Sequence, residues 1–294
     1  MREPSPRTSR LAIAGSLAAL IGVGGVGFLL GRGAAPVLPP SPVPAVAPVV
    51  PKPAEAPPER LLQRSDLIAL GIAAADASAS GTSLSRDALE LAGKRFELAL
   101  PFGCDGPAPE GSDAPLRWRY DEEAAALRVH VAPTVWQKAD WWPEPPATIE
   151  AMEGFWIERP WTSRETCPSA SAIAAAPDAD PATLLGQSLG VVQLISRDTP
   201  RQLVRGGKPY EAVVRMATDA APFDQGLRMK LTGRVGRFPN GQPVHCAQPG
   251  GREQRPVCLI AVTVEQVALQ DPAGGGDLSV WQPTVDSSAG GAAD

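Results

Sequence analysis

The chain has 294 residues, of which 44% are hydrophobic, 20% charged and 5% aromatic, and it contains 29 Gly and 33 Pro. A net charge of −5 and a pI near 5.2 argue against general nucleic-acid binding, which needs a basic footprint. Only two histidines, His130 and His245, are present, so a histidine-based metal site or proton relay has few candidates.

Leu11 to Leu30 read LAIAGSLAALIGVGGVGFLL, a run without a charge. As a helix it would extend about 30 Å, the thickness of a bilayer's hydrocarbon core. Arg2, Arg7 and Arg10 precede it and only Glu3 offsets them. Positive flanks stay cytoplasmic, so the expectation is an inner-membrane, single-pass anchor at 11–30, with residues 1–10 inside and the rest periplasmic. The competing reading is a cleaved signal peptide. Its apolar core is usually shorter, roughly 7–15 residues, and Ala45-Val46-Ala47 lies well past the run. Gly22-Val23-Gly24-Gly25-Val26-Gly27 matches G-x-G-x-x-G, but it sits inside the apolar span and a Pro-rich stretch follows. A dinucleotide site needs a strand before the glycines and a helix after them, so no cofactor is expected here. Small residues in a span instead allow close helix approach.

Residues 31–60 form a linker, with ten prolines between Pro36 and Pro58. Proline fixes φ and donates no backbone hydrogen bond, which favours an extended polyproline spacer. In N-terminal composition alone, this layout is similar to that of energy-transducing and secretion-machine membrane anchors. Leu61 to Ala79 then has helical spacing, with Ser65 as a cap, Asp66 in the first turn, and Leu67, Ile68, Leu70 and Ile72 on an apolar side. Residues 61–81 read as a docking helix or a stalk ended by Ser80-Gly81.

From residue 82 to about 270 the dominant pattern is alternation. Phe96, Leu98, Leu100 and Phe102 share a face; so do Leu116, Trp118 and Tyr120, and Leu127, Val129 and Val131. Asp121-Glu122-Glu123 joins the last two runs as a hairpin loop would. Further strands are expected at Phe155–Arg159, Leu189–Ser196, Tyr210–Met216, Leu227–Val235 and Val257–Leu269. The last two flank a turn-rich insert and should pair antiparallel. Long helical patterns are scarce, so the fold class is mainly β: a single antiparallel β-rich domain, sandwich or partly open barrel, with a flexible tail over 271–294 that frays after Trp281.

Cys104, Cys167, Cys246 and Cys258 all follow the anchor, where the compartment is oxidising. Four cysteines allow three pairings. The 11 residues between Cys246 and Cys258, across the last hairpin, favour that bridge, which leaves Cys104–Cys167 by elimination. No C-x-x-C and no paired His accompany them, so no metal is expected.

Gly186-Gln187-Ser188-Leu189-Gly190 fits the nucleophile elbow G-x-S-x-G, with Asp219 or Asp224 and then His245 in hydrolase order. The context fails: no apolar strand precedes Ser188, and a strand rather than a helix follows it. No catalytic residue is assigned, and a serine hydrolase at Ser188 stays the least favoured function. Five of the seven Trp lie between 136 and 161. Trp136, Trp141, Trp142, Trp156 and Trp161 either complete the core or present a surface to a partner protein or a glycan. Trp141 and Trp142 should point apart, as neighbours on an extended chain do. Outward stripes of Arg117, Arg119 and Arg128, and of Arg228, Lys230 and Arg234, read as solvated faces. The sequence thus points to a non-enzymatic interaction or structural module of the cell envelope with a protein partner, or alternatively to a glycan- or peptidoglycan-binding module.

Overall fold

The structure is a computed structural model and describes residues 60–168, 187–197, 199, 205–218, 225–272 and 276–282. The apolar run 11–30, the glycine motif within it, the Pro-rich linker, Gly186, Asp219, Asp224 and the tail beyond 282 lie outside the described residues. Among the described residues no helix is long and apolar enough to cross a membrane.

Eleven strands are described: β1 (Arg95–Phe102), β2 (Leu116–Asp121), β3 (Ala126–Val131), β4 (Thr134–Trp136), β5 (Ala151–Trp156), β6 (Leu189–Ile195), β7 (Tyr210–Arg215), β8 (Leu227–Val235), β9 (Val244–Ala247), β10 (Val257–Gln270) and β11 (Asp277–Trp281). The fold is mainly β. Strand β10, with 14 residues, organises the larger sheet, whose order is β1-β8-β10-β6-β5-β4. Along one edge β10 pairs antiparallel with β9 and then β8; along the other it pairs with β6 and then β11. The expected antiparallel pairing of the two late strands is present, with Leu231 opposite Val267 and Met229 opposite Leu269. The smaller sheet has the order β2-β3-β7, all antiparallel.

The larger sheet is mixed rather than purely antiparallel, because β6 and β10 run parallel, with Cys258 opposite Leu189. Alternation reports which face is buried and carries no information on strand direction. The chain leaves the sheet after β6, builds β7 into the other sheet, and returns through β8 and β9 before β10. That excursion is long enough for a parallel crossover.

The two sheets share a core. Phe96, Leu98, Leu100 and Phe102 of β1 pack with Trp118, Leu127 and Val129 from the small sheet, and with Leu227, Met229 and Leu231 of β8. Trp118 is the bulkiest fully buried side chain, and its Nε1 donates to the Gly103 carbonyl at 3.3 Å. A Cβ at Gly103 would lie 2.3 Å from that nitrogen, and its φ of +60 also favours glycine. Here β1 ends, so the next residue, Cys104, projects to its disulfide partner.

Several boundaries differ from the sequence reading. Strand β5 spans Ala151–Trp156, not Phe155–Arg159. Glu153 hid its start, because a carboxylate breaks the apolar pattern. In the fold Glu153 is buried, and it accepts hydrogen bonds from the backbone N–H groups of Arg205 (2.7 Å) and Gly207 (3.1 Å). Strand β9 lies inside the insert read as turn, and β11 lies in the segment read as tail. Both are four or five residues long and obtain their partners only from β10.

Helix α1 runs from Arg64 to Ser80, with Gln63 as N-cap in place of Ser65. The Gln63 N–H donates to Asp66 Oδ2 at 2.9 Å, so the first-turn acid holds the cap from within. Gly81 ends the helix in the left-handed region at φ +67. Arg64, Leu67, Ile68, Gly71, Ala74 and Ala75 form its buried line, and the helix is therefore packed on the sheet instead of standing apart as a stalk. Ile72, expected on the apolar side, is 43% exposed.

Candidate functional site

The chain after β5 makes a tight turn at Arg159-Pro160-Trp161-Thr162, closed by the Thr162 N–H donating to the Arg159 carbonyl at 3.1 Å. Proline at the second position presets φ for such a turn. Pro160 is buried, and Trp161 at the third position is 65% exposed. Arg159 adopts φ +50, a conformation unusual for a residue with a side chain. On the inner side the turn starts from Ile157, fully buried, whose N–H donates to the Leu189 carbonyl at 2.8 Å. A few residues on, Cys167 is bridged to Cys104.

Trp161 lines a groove of about 180 Å³. It is lined by Gly71, Ile72 and Ala75 of α1, by Pro160 and Trp161 of the turn, and by Ser188 and Leu189 at the entry to β6. Arg255 borders it and faces Asp76 at 3.5 Å. Gly71 lets the helix close onto the start of β6, because a Cβ there would stand 2.5 Å from Leu189 Cδ1. An exposed tryptophan and an exposed isoleucine thus flank one cleft that has a guanidinium on its border. Such a mix of apolar walls and few polar groups suits ligand or partner capture.

The other four tryptophans of the cluster turn inward. Trp136 and Trp141 are each 8% exposed, while Trp142 and Trp156 are half-buried. Trp136 meets Trp156 edge to face at 5.2 Å. Trp142 stacks on His245 at 4.4 Å between ring centroids, and Phe238 closes the group. Trp141 and Trp142 do not point apart. A 3-10 turn at Lys138–Asp140 precedes them and Trp141 is in the helical region, so both indoles gather about His245. This cluster continues over Ile149, Met152, Val192 and Leu259 as a second apolar layer.

His245 is occupied within that layer. Its Nε2 lies 2.9 Å from the Trp141 carbonyl, which can only accept, so Nε2 carries the proton. Burial holds its pKa below the ordinary imidazole value, and the hydrogen bond to Trp141 opposes this in part. Ser188 enters a strand: its carbonyl accepts from the Cys258 N–H at 3.0 Å, and β6 follows directly. His245 is not among the residues lining the groove beside Ser188.

Both disulfides pair as the spacing suggested, Cys104 with Cys167 and Cys246 with Cys258. Cys246 and Cys258 are directly opposite on β9 and β10, with Cα atoms 4.1 Å apart. The basic stripes are interleaved with acceptors. Arg128 pairs with Asp121 at 3.0 Å, Lys230 with Glu97 at 3.9 Å, Arg234 with Glu265 at 3.2 Å, and Arg228 donates to Gln270 at 3.1 Å. His130 lies 3.2 Å from Glu211.

Of the groove residues, the sequence singled out Trp161, Ser188 and Ile72, the first by the tryptophan cluster, the second by a motif, the third by helical period. Arg255 and Gly71 carried no signal of their own, since their roles come from the meeting of four distant segments. Comparison of the chain with protein-family models, with curated proteins and with solved structures finds no match.

Proposed function

We propose that this chain is a single-pass, membrane-anchored envelope protein that acts without catalysis, its disulfide-bridged β-rich head docking a protein partner in the periplasm through the Trp161 groove. The anchor part of the reading is supported by the uncharged run 11–30 with its Arg-rich N-terminal flank, and by the closure of all four cysteines in bridges. The observation that carries the docking part is Trp161: an indole 65% exposed at the tip of a fastened turn, lining the same groove as an exposed Ile72. Tryptophan is the residue most enriched where binding energy concentrates, and its large rigid surface loses little entropy on docking.

The test is site-specific photo-crosslinking in intact cells, with a photoreactive phenylalanine analogue at Trp161, at Ile72 and, as control, at the exposed Val213 of β7. Discrete protein adducts from Trp161 and Ile72, absent from Val213, are the expected result. Equal labelling at all three positions refutes the groove as the docking surface. A second reading, glycan binding, is favoured by Ser188 and Arg255 in the same groove, since hydrogen-bond donors beside an indole face suit a sugar ring. Retention on purified peptidoglycan, lost in Trp161→Ala, would select it.

A further inference from the structure

Arg64 sits in the first turn of α1 and is only 1% exposed. Arginine is almost never so buried without a reason. Its guanidinium is spread over four main-chain carbonyls: Nε donates to Thr162 at 3.0 Å, Nη1 to Ala99 at 3.2 Å, and Nη2 to both Glu158 and Arg159. Two of these four, Arg159 and Thr162, belong to the turn that carries Trp161, and Glu158 leads directly into it; the fourth, Ala99, belongs to the core strand β1.

We infer that Arg64 is the positioning residue that holds Trp161 outward over the groove, by clamping the turn Glu158–Thr162 from beneath. The fork geometry of a guanidinium allows one side chain to satisfy carbonyls on two segments at once, which a point-like ammonium does not. The clamp also accounts for the backbone. Arg159 is held at φ +50, and its carbonyl both closes the turn and accepts from Arg64. A left-handed residue with a side chain persists only where its surroundings over-determine it.

Helix α1 thereby both holds the Trp161 turn and lines the cleft. Its first turn holds the Trp161 turn, and two turns later, about 11 Å along the axis, Gly71 and Ile72 line the same groove. The start of the helix is itself tied to β1, through the backbone bonds of Leu62 with Arg95 and Glu97 and through Arg64 to Ala99. The placement of the turn relative to the helix is therefore referred to the core and not to a free loop.

This inference rests on the docking role proposed for Trp161, but its test is separate from that reading. The full chain, in detergent micelles, is labelled with 5-fluorotryptophan, and the 19F resonance of Trp161 is assigned by its loss in Trp161→Phe. Arg64→Met keeps the side-chain volume and removes every donor. The expected result is a shifted or split Trp161 line, with the Trp118 line unmoved as the report of an intact core. Arg64→Lys keeps the charge but not the fork, and it serves if the Met variant fails to fold; it too is expected to displace the Trp161 line. A folded variant whose Trp161 line is unchanged overturns the inference. A purely structural role for Arg64 would move both lines together, and that result also overturns it. If photo-crosslinking from positions 72 and 161 fails in the chain with Arg64 intact, the docking reading falls, while the 19F lines still decide the role of Arg64.

Discussion

The two disulfides allow a test of where their stabilisation originates. Cys104–Cys167 spans a sequence separation of 63 residues and Cys246–Cys258 one of 12. If a bridge acts by restricting the unfolded chain, the loop-entropy relation gives about 4 kcal/mol for the first and about 3 for the second, a gap of about 1.4 kcal/mol. Cys246 and Cys258 are already neighbours in a hydrogen-bonded ladder, so a bridge that acted by stiffening the native state would add little there. Two variants separate these accounts. Cys246→Ala/Cys258→Ala retains only the long bridge, and Cys104→Ala/Cys167→Ala only the short one. Each is unfolded in urea with its bridge closed and again after reduction, followed by tryptophan fluorescence, so that side-chain packing is common to both members of the comparison. The long bridge is expected to contribute more, and the short one still a substantial share of a typical total of about 5–15 kcal/mol. A short bridge worth nothing, or one worth more than the long, refutes the unfolded-state account for this fold.

Trp161→Ala is expected to change stability by less than about 0.5 kcal/mol, because the indole is mostly in solvent. Trp118→Ala, at 1% exposure, should cost about 3–5 kcal/mol; urea midpoints distinguish the two. His245 has a pKa depressed by burial, so its contribution to stability is present above the ordinary value of 6.5 and is lost as pH falls through the lower native value. A urea-midpoint series from pH 8 to pH 5 should fall in the parent chain and fall less in His245→Phe, and parallel curves would contradict this. Glu165 has a pKa raised by burial, against the opposing fields of Arg228 and Arg64. Its contribution is therefore complete below the ordinary value of 4.5 and lost as pH rises through the native one, so Glu165→Gln should be the more stable form at pH 7, with the gain vanishing below pH 4.5.

The strands that bury one face were legible. Leu127 to Val131 and Leu227 to Val235 alternate, because each has one side on the shared core and the other more exposed, whereas in Phe96 to Phe102 the large apolar residues alternate in sequence although Ala99 and Pro101 between them are buried too. Legibility failed where a strand departs from that situation. Strand β5 is buried almost throughout and carries Glu153 inside, so neither period nor polarity marked its start. Strands β9 and β11 are too short to show a period. The direction of β6 was invisible because parallel and antiparallel neighbours alternate alike. The tryptophan cluster was legible as a cluster only. Which indoles turn inward is decided by the 3-10 turn before Trp141 and by the left-handed Arg159 before Trp161, backbone features with no residue signature: neither site is a glycine. Arg64 carried no signal of its own, since a buried arginine looks the same in sequence as a solvated one.

The groove is made of pieces from four segments, around residues 71–75, 160–161, 188–189 and 255. None of these meets another through local structure. Helix α1 reaches β6 through Gly71 against Leu189, the Trp161 turn reaches β6 through Ile157, and Arg255 comes into place just before β10 pairs with β6. That parallel pairing joins strands more than 60 residues apart, and closing so long a loop becomes favourable only when the intervening strands are already packed. The cleft is thus a property of the completed fold rather than of any hairpin within it. A ligand seated there would bind the native state alone, and its binding free energy would add to the stability of the whole head.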